Sequence, residues 1–252
     1  MNQEKHWNKI GGKYEGEIFD VFKSDKNKVL TSYFRKHAKD THHAVDFGCG
    51  VGKAFSYLSP AFEEVLALDI SDECLSIARS KPYANISFKQ ADLSRSSVRL
   101  PVVDFVFCCN VIMLPEVEKN RLMFRNIAKA LRPGGSALIV VPSLESIMFS
   151  SWRLINWYKK EGVKPEQIPE SELKYFSAPK RSIIEGIIHI DGVPTKHYSD
   201  PELRVLMDEA GLAITALERL EYDWNTEFPF PPSWMKAPYP WDWLVECKKP
   251  DI

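Results

Sequence analysis

Short apolar runs alternate with amphipathic helical segments along most of the chain. Five strand-sized runs come first, "HAVDF", "EVLALDI", "ISFKQADL", "VVDFVFCCNV" and "SALIVVP", and two more, "AITALERLEY" and "WDWLVECKK", lie near the end. Helical patterns separate them: "SDECLSIARSK" opens on Ser71 as a predicted N-cap, and "EVEKNRLMFRNIAKAL" repeats its apolar residues at helical spacing. This alternation predicts an α/β fold with a seven-stranded, mostly parallel sheet and helices on both faces.

Residues 143–198 interrupt this rhythm after the fifth strand, because a usual strand-to-helix link has only about two to six residues. Within them "SIMFSSWRLINWYKK" has a helical pattern, and "EGIIHIDGVPTKHYS" predicts a hairpin that turns at Asp191-Gly192. Ser199 or Asp200 is expected to cap the next helix, which ends at Gly211. We therefore predict a helical lid over 1–40, a core over 41–142 and 199–252, and an inserted substrate cap over 143–198.

Composition narrows the classes of partner. The formal net charge is −1, from 33 basic and 34 acidic residues, so no overall positive field favours nucleic acid or an anionic membrane, and we expect neither as a partner. The five cysteines show no zinc-site spacing, which predicts no metal and favours a reduced compartment. The first residues are polar, and no apolar run reaches the roughly 20 residues of a membrane span. We expect a cytoplasmic protein.

The stretch "AVDFGCGVGKAF" carries the first chemical signal. Gly48, Gly50 and Gly52 follow the first predicted strand, where doubly wound sheets bind nucleotide-like ligands. A dinucleotide fingerprint, GxGxxG, would need glycine where this chain has Lys53, and no GK[ST] ending supports a P-loop. Asp69 ends the second predicted strand and suits a ribose diol, because a carboxylate accepts two hydrogen bonds.

At these positions the chain resembles the class I S-adenosylmethionine-dependent methyltransferases, in "VDFGCGVG", "LALDIS", "QADL", "FCCNVIMLPE", "LRPGGSALIVVP" and "HYSDPELRVLMDEAGL". The resemblance covers residues 40–142 and 197–248 and implies a Rossmann-like sheet that binds S-adenosyl-L-methionine. It implies cofactor-binding roles at the strand ends and in the N-terminal helix: Asp46, Gly48, Cys49 and Gly50 at the methionine end, Asp69 at the ribose, Ile70, Asp92 and Leu93 at the adenine, Asn110 near the sulfonium, and Trp7 and Tyr14 as a cover.

Each assignment has a structural alternative. Asp46 could bond the backbone of the turn, Asp69 could cap a helix and Asp92 could begin a loop. Asn110 could simply end a strand, and Trp7 and Tyr14 could serve packing alone. Cys49, Cys108 and Cys109 are expected to be small buried residues.

Transfer from a sulfonium requires the acceptor atom and the methyl group to be held in line and shielded from water. A base is needed only where the acceptor carries a proton, and His189 and His197 are the candidates near the expected pocket. Aromatic residues in 143–198 and 223–240 predict a pocket for a flat or apolar molecule, unless the rings only form a compact cap.

The expected function is methyl transfer to an oxygen or nitrogen atom of a small molecule. A methyltransferase-like regulator that binds the cofactor without transfer, and a protein methyltransferase, stay open as alternatives. A nicotinamide oxidoreductase is disfavoured by Lys53, and an RNA methyltransferase by the near-neutral charge.

Overall fold

A computed structural model describes residues 3–11, 19–176, 179–190 and 192–251. Seven strands form one sheet: β1 (Lys39–Phe47), β2 (Phe62–Asp69), β3 (Ile86–Gln90), β4 (Val103–Cys109), β5 (Leu131–Pro142), β8 (Ala213–Glu221) and β9 (Trp241–Lys248). Their order in the sheet is β3-β2-β1-β4-β5-β9-β8, in which β9 runs antiparallel to both neighbours and the other adjacent pairs are parallel. The predicted sheet is confirmed.

The remaining described elements precede, cross over or cover this sheet. The α-helices are α1 (Gln3–Gly11), α2 (Val21–Ser24), α3 (Val29–His37), α4 (Phe55–Leu58), α5 (Asp72–Arg79), α6 (Val117–Ala130), α7 (Leu144–Lys160), α8 (Lys180–Ile184) and α9 (Asp200–Glu209). Short 3-10 helices span Pro165–Gln167, Glu170–Phe176 and Trp224–Thr226. Strands β6 (Ile187–Ile190) and β7 (Val193–Lys196) form a separate antiparallel hairpin.

The core consists of two layers, one on each face of the sheet. Apolar residues of α3, α4 and α5, such as Phe34 and Leu75, pack with alternate residues of β1, β2 and β4. On the other face α6 and α9 pack through Phe124, Ile127 and Leu203. Because both faces are covered, the strands read as nearly continuous apolar runs.

Local signals in the sequence set several boundaries. Ser71 and Ser199 cap α5 and α9, each accepting a hydrogen bond from the backbone N–H three residues on. The predicted hairpin is confirmed by the pairing of β6 and β7, although Asp191 lies outside the described residues. Helix α4, between the glycine turn and β2, is only a single turn long. Strand β1 begins at Lys39, inside the segment predicted as a lid, because Lys39 pairs with Phe62 of β2.

None of the described helices is both long enough and apolar enough to span a bilayer. All five cysteines are unpaired thiols; Cys49 and Cys108 are buried as predicted, whereas Cys109 is only half-buried.

Candidate active site

A cavity of about 420 Å³ lies at the carboxyl ends of β1 to β4. This is where an open parallel sheet binds ligands, because β1 has β2 on one side and β4 on the other and the crossovers diverge there. The wall contains most of the predicted cofactor residues: Trp7, Gly48, Asp69, Ile70, Asp92, Leu93 and Asn110. Among the described residues, Asp46, Cys49 and Gly50 lie outside the wall.

The glycine turn is shaped by close contacts inside the chain. Gly48 has φ +86°, and a Cβ there would lie 2.2 Å from a methyl carbon of Val111. The N–H groups of Gly48 and Cys49 both donate to the Leu68 carbonyl, at 2.9 and 2.8 Å, and Gly50 N–H donates to Asp69 Oδ2 at 2.8 Å. The N–H groups of the turn, which the sequence resemblance places at the methionine end of the cofactor, thus already have acceptors, and their cofactor role stays a prediction.

Asp69 connects the turn to the following helix. Its Oδ2 accepts from Gly50, and its Oδ1 accepts from the Ser71 N–H at 2.9 Å. Burial raises the pKa of this carboxyl, and these backbone N–H groups oppose the rise. Because a carboxylate has about four lone-pair positions, Asp69 keeps acceptor capacity on the cavity side for a pair of hydroxyls.

Asp46 is the strongest electrostatic anomaly of the site. Its side chain is 2% exposed, and its Oδ2 has no hydrogen-bond partner. Burial, and secondly the nearby charge of Asp69, raise the pKa of Asp46 to about 8. A buried, unsatisfied carboxyl oxygen is costly, so this position favours a cationic or hydrogen-bond-donating ligand.

Asp92 has a different environment. Its Oδ1 accepts from the Ser94 backbone N–H and hydroxyl, at 3.1 and 2.6 Å, and its Oδ2 pairs with Arg95 at 2.9 Å. Although burial raises the pKa of Asp92, these contacts outweigh it and lower the net value. Asn126 of α6 stabilises the loop after β3, because its Nδ2 donates to the carbonyls of Leu93 and Arg95 at 2.9 and 3.0 Å. The sequence pattern did not predict this role.

Asn110 joins the cavity to a group of residues near the end of the chain. Its backbone has φ +52°, a conformation that asparagine tolerates better than most residues. Its Nδ2 donates to Asp242 Oδ2 at 3.2 Å, whereas its Oδ1 has no partner. Asp242 also accepts from the Tyr222 hydroxyl at 2.8 Å. Sequence reasoning missed Asp242, although an acid within the apolar run "WDWLVECKK" was a usable signal.

Helix α1, in the segment predicted as a lid, and strand β7, in the segment predicted as a substrate cap, both contribute to the cavity wall. Gln3, Glu4 and Trp7 of α1 line the cavity, and so do Val193, Pro194 and Thr195 of β7. Asn8 contacts the Ser71 hydroxyl at 2.7 Å, which ties α1 to α5. Tyr14 lies outside the described residues. The lid and cap assignments stay predictions, with these contacts in their favour.

The candidate bases lie in or beside the hairpin. His197 is buried, and its Nδ1 lies 3.0 Å from the Thr195 carbonyl. Burial lowers the pKa of His197 to about 4, so the imidazole is neutral at pH 7 and a weak proton acceptor. The Nδ1 of His189 is buried without a partner. Neither imidazole belongs to the described cavity wall, and a catalytic role for either stays a prediction.

The aromatic residues expected around the acceptor largely contact one another. Phe149 of α7 packs against Trp152, Trp224 and Trp241, and Trp224 stacks on Phe228 with ring centroids 5.6 Å apart. Such contacts suit a compact cap as well as the wall of an apolar pocket. The acceptor pocket therefore stays a prediction.

The residues present fit S-adenosylmethionine, the cofactor that the sequence resemblance implies. Its α-ammonium group would satisfy the unpaired oxygen of Asp46, and its ribose hydroxyls suit the acceptor capacity of Asp69. The unpaired Oδ1 of Asn110 adds a partial negative charge that suits a sulfonium.

Comparison with known proteins agrees with this geometry. Residues 44–135 match a family described as methyltransferase domain. A protein of Saccharomyces cerevisiae named probable S-adenosylmethionine-dependent methyltransferase CRG1 is 33% identical over 116 residues, which cover 42% of this chain and 38% of that protein. The matched segment thus spans little more than a third of that relative's length.

Solved structures share the fold at low identity. A Haloferax volcanii protein solved with the Trm112 methyltransferase activator has a TM-score of 0.64 at 15% identity, over 97% of each chain. The N-methyltransferase NodS of Bradyrhizobium japonicum, solved with S-adenosyl-L-homocysteine, has a TM-score of 0.59 at 12% identity, over 99% of this chain and all of that one. Residues 44–135, less than half of the chain, thus match the methyltransferase domain family, and solved methyltransferase structures share the fold of the chain.

Proposed function

We propose that the chain transfers the methyl group of S-adenosylmethionine to an oxygen or nitrogen atom of a small, aromatic or apolar molecule. The observation that carries this proposal is the buried Asp46 carboxyl with its unpaired oxygen, set beside Asp69 below a cavity at the carboxyl edge. A purely structural acid would have its oxygens satisfied by the backbone of the turn.

Each carboxyl then has a distinct role in holding the donor. Asp69 accepts hydrogen bonds from the ribose hydroxyls, Asp92 from the adenine amino group, and Asp46 balances the α-ammonium group. Trp7 and Ile70 supply apolar wall. When bound, the donor would supply an electrophilic methyl carbon on a sulfonium.

The chain itself contributes position and exclusion of water. Helix α1 and strand β7 approach the cavity from two sides, and the Lys196 N–H donates to the Met113 carbonyl at 3.0 Å, which fastens the hairpin to the loop after β4. A closed site of this kind strengthens electrostatic contacts and prevents hydrolysis.

A small-molecule acceptor is favoured by the near-zero net charge and by the aromatic cluster of α7 and 223–240. The relative solved with S-adenosyl-L-homocysteine is named an N-methyltransferase, which supports nitrogen as one of the two acceptor atoms. The Haloferax volcanii neighbour was solved with an activator protein, a class of partner that this proposal does not require.

The test combines binding and turnover. Calorimetry should show binding of S-adenosylmethionine, and incubation of labelled donor with a metabolite extract should place the label in a small-molecule fraction. Label in the protein fraction instead would favour a protein methyltransferase. Binding without any transfer would favour the regulator, and absence of binding would reject the proposal.

A further inference from the structure

Lys196, the last residue of β7, has a buried ammonium group. Its side chain is 1% exposed, and no charged side chain in the described part of the chain is buried more completely. The Nζ atom donates to Glu202 Oε2 at 2.7 Å and to the His197 carbonyl at 2.8 Å. It also lies 4.4 Å from the centre of the Tyr198 ring. Lysine is almost never buried to this extent without a partner, so the pair with Glu202 needs an explanation.

The ion pair connects the inserted hairpin to the core of the molecule. Lys196 ends β7, whereas Glu202 lies in the first turn of α9. Helix α9 is fixed on the sheet, because Leu203 and its apolar neighbours belong to one of the two core layers. The Lys196 side chain therefore joins an element of the 143–198 insertion to an element that packs on the sheet.

Strand β7 forms one wall of the cavity immediately before Lys196. Val193, Pro194 and Thr195 line the cavity, and the Lys196 N–H donates to the carbonyl of Met113, another wall residue, at 3.0 Å. The side chains of Val193 and Pro194 are apolar, and the Thr195 hydroxyl donates to the Val193 carbonyl at 3.1 Å. This wall therefore contributes shape and exclusion of water, and its effect on a ligand depends on where β7 lies.

The base of the hairpin is closely packed around the ammonium group. Gly186 has φ +70°, and a Cβ there would lie 2.2 Å from the His197 carbonyl oxygen and 3.0 Å from Lys196 Nζ. The His197 N–H donates to the Gly186 carbonyl at 2.7 Å. A shift of β7 would therefore disturb these backbone contacts and the ion pair together.

The ammonium group is too enclosed to act on a bound ligand directly. Its Nζ already donates to two acceptors, and Lys196 is not part of the cavity wall as described. Burial lowers the pKa of Lys196, and the hydrogen bond and charge of Glu202 oppose that effect. A methionine of similar size would avoid this desolvation, whereas a buried ion pair favours one relative position of the two elements that it joins.

We propose that Lys196 is a positioning residue, whose ion pair with Glu202 fixes β7 so that residues 193–195 close the cavity over the bound methyl donor. The inference rests on the proposed function and deepens it. Without the ion pair, β7 is in place for only a fraction of the time. The measured dissociation constant then rises in inverse proportion to that fraction, so a wall in place about one tenth of the time weakens binding about tenfold.

The test measures ligand affinity and the order of β7 in the same variant of the full chain. Lys196→Met keeps an unbranched side chain and removes the charge. Calorimetry should show that S-adenosylhomocysteine binds about tenfold more weakly than to the wild-type protein. Hydrogen exchange in the ligand-free variant should be faster by about the same factor over residues 193–197 and unchanged in β1 and β2, because the change is confined to the hairpin.

The matched control is Arg204→Met, which removes one positive charge from α9. Arg204 is exposed and pairs with Asp200 on the same helix, so this variant should keep the wild-type affinity and exchange. Glu202→Met removes the other partner of the buried pair and should weaken binding as Lys196→Met does. The double variant should bind no more weakly than Lys196→Met, because the contact is already lost. It leaves no buried charge at this position, so it carries the same expectations if Lys196→Met folds poorly.

Other results would overturn the inference. Unchanged affinity together with faster exchange in the hairpin would show that the ion pair holds β7 without shaping the site. Unchanged exchange over residues 193–197, faster exchange throughout the sheet, or additive losses of affinity in the double variant would each remove the positioning role. Failure of the wild-type protein to bind S-adenosylhomocysteine would count against the proposed function itself, while the exchange measurement would still report whether Lys196 fixes β7.

Discussion

Asp46 and Asp69, at the ends of adjacent strands, are in opposite hydrogen-bonding states. Asp69 has both oxygens occupied by backbone N–H groups, whereas Asp46 keeps an unpaired oxygen in the core. One carboxyl thus stabilises the local backbone, whereas the other keeps a buried, unsatisfied oxygen that destabilises the folded state. The role of each carboxyl can be measured by replacing it with the isosteric asparagine.

Replacing Asp69 should weaken both the turn and donor binding. Asp69→Asn keeps the shape but loses the charge that faces Gly50 and Ser71, so we expect about tenfold or more loss of S-adenosylmethionine affinity and about 1–2 kcal/mol of unfolding free energy. Calorimetry and urea denaturation measure the two effects. Asp72→Asn, an exposed acid in the first turn of α5, is the control. Unchanged affinity in Asp69→Asn would reject the ribose assignment.

Asp46 should make the stability of the ligand-free protein fall as pH rises. With a folded-state pKa of about 8 against 3.8 unfolded, the folded form alone keeps this proton between about pH 4 and 8, and its stabilising effect is lost as pH rises through 8. Asp46→Asn should therefore flatten the profile by up to about 1.4 kcal/mol per pH unit in that window. Urea denaturation at pH 5 and pH 7.5 measures this. Parallel profiles would show that Asp46 is already ionised in the folded state.

At the scale of elements, the turn between β1 and α4 depends on close packing as much as on backbone freedom. Gly48 and Gly211 both have positive φ, +86° and +77°, but only Gly48 has a neighbour where a Cβ would lie. The two positions therefore separate the cost of the backbone conformation from the cost of a steric clash.

Gly48→Ala should destabilise the protein more than Gly211→Ala does. Both variants carry the left-handed penalty of about 1–2 kcal/mol, and Gly48→Ala adds a clash with Val111 of about 1–3 kcal/mol. Urea denaturation gives the free energies of unfolding. In a Val111→Ala background the extra cost should largely disappear. If it persists there, the clash is with the backbone rather than with Val111.

Most of the sheet was predictable because its physical cause is local. Buried parallel strands need continuous apolar runs, and Ser71 and Ser199 cap helices through bonds that span three residues. The meeting of Asn110, Tyr222 and Asp242 was not predictable, because it depends on how β9 is paired with β5 and on a loop without periodic pattern. The structural roles of Asn126 and of the Gly50 N–H are likewise tertiary facts, invisible in a linear pattern.

At the scale of the molecule, the ends of four parallel strands, the first helix and the inserted hairpin converge on one cavity. A ligand held by so many separate segments stabilises the folded state as a unit, since the unfolded chain cannot bind it.

Saturation with S-adenosylhomocysteine should therefore raise the free energy of unfolding. At a concentration 100 times its dissociation constant the gain is about 2.7 kcal/mol. NAD at the same concentration should produce no comparable gain, because Lys53 stands where a dinucleotide turn has glycine. Thermal denaturation with each compound measures the difference. Stabilisation by NAD alone would favour an oxidoreductase.

The antiparallel direction of β9 also determines where a label can be attached without blocking the cavity. Asp242 is level with the cavity edge, whereas Lys248, six residues on, pairs with Ser136 at the opposite rim, about 20 Å away. Lys248 is exposed there. A fluorophore or a surface tether attached at position 248 would therefore leave the mouth of the cavity clear.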